Sequence, residues 1–67
     1  MNKENYDKLE QLIDKHGLEE VIGALSTICE EKNWHLAVTY PNDKSLARWW
    51  KKASKRLATV CRNITEQ

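Results

Sequence analysis

The stretch from Leu46 to Ile64, LARWWKKASKRLATVCRNI, decides the fold. Within it Leu46, Trp50, Ala53, Leu57, Val60 and Ile64 recur in alternating steps of four and three, the spacing of a seam that packs against another helix. Between Lys44 and Arg62 stand seven basic residues and no acidic one. On a helical wheel with Trp50 at zero, Lys51, Arg62, Lys44, Lys55, Arg48, Lys52 and Arg56 fall between about 100° and 240°, opposite the seam. The segment reads as a half-buried helix with one basic face. It is too short for an extended coiled coil, so a helical hairpin is the simplest setting for it.

Upstream, Tyr40-Pro41-Asn42-Asp43 is a break, because proline lacks the donor that a helix interior needs and biases Tyr40 towards extended backbone. Before the break, Leu18, Val21, Ile22, Leu25, Ile28, Cys29 and Leu36 share one helical stripe. Lys32 falls on the same stripe, where its stem can lie along apolar neighbours while its charge reaches water. Leu9, Leu12 and Ile13 mark a further, shorter helix, with Asn5 as its expected N-cap and Asp7 suited to the positive end of the dipole. Gly17 ends it, in a conformation open to glycine, with Leu18 placed to contact Ile13. The expected architecture is all-α: one domain over 1–67, with helices over 5–16, 18–37 and 43–64, the last two forming a long antiparallel hairpin. The expected core is Leu12, Ile13, Leu18, Val21, Ile22, Leu25, Ile28, Cys29, Leu46, Trp50, Leu57, Val60 and Cys61.

At 67 residues the chain lies near the lower size at which a domain buries enough apolar surface to fold alone, which raises the expectation of a homodimer. The formal charge of +1 is unevenly spread. Residues 1–32 carry four basic and eight acidic side chains, and residues 33–67 carry seven basic and two acidic ones. The two halves should attract, within one chain or between copies. No apolar run approaches the roughly 20 residues needed to span a bilayer. The polar start Met1-Asn2-Lys3-Glu4-Asn5 lacks the apolar centre of a secretory leader, so a cytoplasmic location is expected.

Asp14-Lys15-His16-Gly17-Leu18, then Val21, Ala24-Leu25, Ile28-Cys29, Glu31-Lys32 and His35-Leu36, followed by Leu46-Ala47 and Trp50, together resemble a family of short, uncharacterised bacterial proteins, cyanobacterial members among them. The resemblance spans roughly residues 12 to 58. It implies a small helical bacterial protein, and since the family carries no assigned activity it implies no chemistry. Thr39-Tyr40-Pro41-Asn42-Asp43 stands where the family carries an Asn-Trp-Gln-Asp type of linker.

Enzyme chemistry finds no support in the residues. His16 and His35 form no CxxC, HxxxH or HExxH arrangement, so no metal and no cofactor is expected. There is no glycine-rich phosphate loop and no GxSxG elbow. Glu19-Glu20 and Glu30-Glu31 are sequence neighbours about 100° apart on a helix, as on a solvated face. Cys29 and Cys61 both lie on apolar stripes. If residue 29 sits opposite roughly residue 51, Cys61 is ~15 Å further along the axis, beyond the ~7 Å reach of a disulfide. Both are expected as reduced thiols.

The tryptophans point to binding instead. Trp34 lies almost opposite the Leu18-Leu25-Cys29 stripe, in line with the small residues Gly23 and Thr27. It is either an exposed anchor for a partner or, if the helix frays before it, a cover over its own core. Trp49 projects to the side of the seam, where the first helix or a partner would meet it. The expected function is protein recognition through Trp34, Trp49 and the basic residues Arg48, Lys52, Lys55 and Arg56. Nucleic-acid binding through the same basic face is the alternative, and a merely solvated surface is the third reading.

Overall fold

A computed structural model describes residues 1–65, so the last two residues of the domain expected over 1–67 lie outside the described residues. The chain is all-α: α1 runs Lys3–His16, α2 Leu18–Thr39 and α3 Ser45–Thr65, with no strand among the described residues. Each boundary has a local cause. Helix α1 starts earlier than expected because Asn2, not Asn5, is its N-cap, its side-chain oxygen accepting from the Asn5 N–H at 2.8 Å. Glu4, in the first turn, complements the dipole there.

Gly17 is the whole connection between α1 and α2. Its N–H closes on the Ile13 carbonyl at 2.7 Å while its own carbonyl accepts from Val21 at 3.2 Å, so one residue ends one helix and opens the next. Its φ of 89° with ψ of 151° lies in a region that is essentially glycine's alone. The φ is positive as expected, but the extended ψ turns the chain sharply, and the simple left-handed helical cap is not formed.

Helix α2 continues to Thr39 and ends where Tyr40 bonds back to Leu36 at 2.8 Å and Pro41 follows. The Asp43 N–H then donates to the Tyr40 carbonyl at 3.2 Å, closing a turn with proline in its favoured second position. Asp43, expected inside α3, stands just ahead of it. Its carboxylate accepts from the Ser45 hydroxyl at 2.7 Å and from the Ser45 N–H at 3.2 Å.

Helices α2 and α3 pack as the expected antiparallel hairpin, and α1 touches α2 but not α3 among the described residues. The three helices therefore stand in a row and not around a common centre. The extents of 41 × 32 × 14 Å describe a flattened body. Its radius of gyration is 14.0 Å, against about 11 Å for a compact domain of this length.

The interior is correspondingly small, and it corrects the expected core. Among the described residues only Cys29, Ala47 and Ser54 are buried, and no large side chain is fully enclosed. Ile13, Val21, Ile22, Trp50, Leu57 and Cys61 are half-buried. Leu12, Leu18, Leu25, Ile28, Leu46 and Val60, expected inside, are instead 40 to 54% exposed. The reason is the line along which the helices meet. The buried positions, Cys29 on α2 and Ala47 and Ser54 on α3, mark that line, with the half-buried Ile22, Ser26, Asn33 and Cys61 aligned with them on the helical wheel. Small side chains let the two axes come close, and the large apolar ones are displaced to the flank. Ser26 and Ser54 seal the contact by donating to each other's carbonyls, each at 2.9 Å.

Candidate interaction surfaces

The hairpin has two broad faces of different chemistry. Measured from the α2 contact line, Leu18, Val21, Leu25 and Lys32 lie about 60–120° to one side. On α3, Leu46, Ala53, Leu57, Val60, Ile64 and Trp49 lie about 60–140° from the corresponding line. Because the helices are antiparallel, these two flanks fall on the same side. A direct contact ties them together: Lys32 Nζ sits 5.4 Å from the centre of the Trp50 ring. Trp49 meets Trp50 edge to face, centroids 4.9 Å apart at 87°. We call this the apolar face.

Helix α1 extends the apolar face outward. Leu9, Leu12 and His16 confront Val21, Ala24, Leu25 and Ile28 across an open groove of about 320 Å³. Its closed end is the Gly17 turn, where His16 Nδ1 lies 3.8 Å from a Glu20 carboxylate oxygen. At the other end of the face, Leu46, Trp49 and Ser45 form an apolar notch at the start of α3. Trp49 is not covered by α1, which settles one of its two expected settings; it is 59% exposed.

The opposite face holds Trp34. Because α2 stays helical through Thr39, the indole does not fold over the interior and is 69% exposed. Thr27, Glu30 and Glu31 surround it in a shallow depression. Gly23 is not part of an open groove. It is half-buried, and a Cβ there would meet Cys61 Sγ at 3.8 Å, which places it against α3.

The wheel puts Arg48, Lys51, Lys55 and Arg62 on the Trp34 side of α3, about 60–120° from the contact line. Lys52 and Arg56 lie further round, on the outer edge. No ion pair among the described residues involves Arg48, Lys52, Lys55 or Arg56; the two present are Lys8 with Glu4 at 3.4 Å and His16 with Glu20. The opposite charges of the two halves are thus not spent on each other within the chain. Trp34, Arg48, Lys52, Lys55 and Arg56 are exposed, as their helical spacing predicts. The same spacing does not reveal the apolar face as a surface, since periodicity marks which residues align but not whether a helix covers them.

Among the described residues no three of His, Cys, Asp and Glu are grouped closely enough to hold a metal, and no helix is long and apolar enough to cross a membrane. Cys29 and Cys61 are thiols, with the Cys61 Sγ donating to the Glu19 carbonyl at 3.5 Å. No family model, curated protein or solved structure matches this chain.

Proposed function

We propose that this chain is a non-enzymatic, cytoplasmic binding module that recognises a protein partner through the Trp34 face. The observation that supports it is the placement of a 69% exposed indole on the same side of the hairpin as Arg48, Lys51 and Lys55, none of them in an ion pair among the described residues. A tryptophan anchor supplies apolar contact area, and flanking charges steer the approach and set orientation. Lys52 and Arg56, at the outer edge, contribute to the long-range field more than to direct contact.

Nucleic acid is the second reading, favoured by the concentration of six basic residues on α3, with Lys44 just ahead of it. The immediate neighbours of Trp34 weigh against it. Glu30 and Glu31 flank the indole, and their carboxylates repel a phosphate backbone where base stacking on Trp34 would require it. A partner with both acidic and basic side chains around an apolar centre fits this surface better.

Two binding measurements separate the readings. Labelled single- and double-stranded oligonucleotides titrated at ~50 mM salt should show no saturable binding. Affinity capture should retain one protein at fixed stoichiometry, lost with Trp34→Ala and weakened by Arg48→Glu with Lys55→Glu. Saturable, salt-sensitive oligonucleotide binding abolished by the charge reversals would replace the protein reading with the nucleic-acid one.

A further inference from the structure

We infer that the apolar face, the side of the hairpin away from Trp34, is covered by a second copy of the same chain, with α2 of each protomer lying on α3 of its partner. The need for a cover follows from the burial. A row of three helices in which, among the described residues, only Cys29, Ala47 and Ser54 are buried lacks the enclosed core around which a domain is normally built. Leu12, Leu18, Leu25, Ile28, Leu46, Trp49 and Val60 are all at least 40% exposed, and an apolar set of this size is what a stable interface between copies would bury. Stacking two α2–α3 hairpins gives a central four-helix bundle with one shared core, flanked by the two α1 helices.

Charge selects the occupant and its orientation. The outer edge of α2 carries Glu20, which lines the α1–α2 groove, and Glu31, which stands between the two faces and borders Ile28 and Lys32 as well as Trp34, and α1 beyond it carries Glu4, Asp7, Glu10 and Asp14. The outer edge of α3 carries Lys52 and Arg56. A two-fold axis parallel to the hairpin sets α2 on the partner's α3 and brings these edges together twice, acidic against basic. An axis across the hairpin would set α2 on α2 and α3 on α3, with like charges facing at both edges. In the favoured arrangement the α1–α2 groove opens towards the partner's Trp49 and Val60, so α1 acts as an arm around the neighbouring α3. The groove lined by Leu9, Leu12, Val21 and Ile28 is then filled by apolar side chains.

The register is also specified. A rotation about an axis parallel to the helices leaves heights unchanged. Ser26 lies level with Ser54 in one hairpin, so Glu31 lies level with about residue 49 and within one turn of Lys52 on the partner's α3.

Sedimentation equilibrium on the full chain, with helicity followed by circular dichroism, tests the inference. The expected species has about 16 kDa, twice the 7.9 kDa of one chain. Lys52→Glu with Arg56→Glu should raise the dimer dissociation constant about tenfold, and adding Glu20→Lys and Glu31→Lys in the same chain should restore it. Trp34→Ala should leave the mass unchanged, which keeps this interface distinct from the proposed partner face. A cooperatively folded species of 7.9 kDa at every concentration would overturn the inference. So would a dimer that the charge reversals leave unaffected or tighten, since that is the behaviour of the arrangement with α2 on α2.

Discussion

Ser26 and Ser54 exchange hydrogen bonds across the hairpin, each hydroxyl donating to the other's carbonyl at 2.9 Å with the two oxygens 3.3 Å apart. The pair lets α2 and α3 approach closely without leaving a polar atom unsatisfied, and no buried side-chain nitrogen or oxygen among the described residues lacks a partner. Ser26→Ala and Ser54→Ala should each cost about 1 kcal/mol, one hydrogen bond apiece. Ser54→Leu should cost more, ~1–3 kcal/mol, because it drives the axes apart. Urea unfolding of the variants checks the order, and a double-mutant cycle measures the coupling.

The two glycines should respond in opposite senses. Gly17 has φ of 89° and open space where a Cβ would be, so the penalty of Gly17→Ala is purely conformational, ~1–3 kcal/mol of destabilisation. Gly23 lies mid-helix with its nearest cross-helix neighbour at 3.8 Å, an ordinary contact. Gly23→Ala should therefore stabilise by up to ~1 kcal/mol. Thermal melts at a single protein concentration decide both.

The fold perturbs the ionisation of Asp43. The Ser45 hydroxyl and then the Ser45 N–H bond its carboxylate and lower its pKa below the ordinary 3.8. A folded value below the unfolded one stabilises the fold above the unfolded pKa, and this is lost as pH falls through the lowered folded value. Asp43→Ala should lower the melting temperature slightly at neutral pH and make no difference once the pH has fallen well below the lowered folded pKa. An equal deficit at both pH values would show that the hydrogen bonds, and not the charge, fix the start of α3.

The three tryptophans report on different surfaces. Trp34 is 69% exposed and Trp49 59% exposed, while Trp50 is half-buried beneath Lys32. Acrylamide quenching of single-tryptophan variants should rank Trp34 as most accessible at all concentrations. Trp49 should become protected as the concentration rises into the dimer range, and constant accessibility would count against burial by a second copy.

Much of the architecture was legible in the residues. Leu46, Trp50, Ala53, Leu57, Val60 and Ile64 mark α3 as amphipathic whatever they touch, and Gly17 and Pro41 punctuate the chain by backbone chemistry alone. Trp34 was placed correctly opposite the apolar stripe for the same reason, since angular position on a helix follows from residue spacing. The contact line was not legible. Ser26 and Ser54 look like surface residues until each is seen to find the other's carbonyl, and Leu25 and Leu46 look like core until the helices are found to meet beside them.

Three helices, their breaks, the segregation of charge and the existence of one apolar side are written in the order of the residues. These are consequences of local propensity and periodicity, which act within a few residues. Only the tertiary structure decided that α1 stands clear of α3, that the hairpin closes through small side chains, and that the large apolar residues remain on an open face. Those outcomes depend on which neighbour reaches a side chain first, a competition between surfaces that periodicity does not encode.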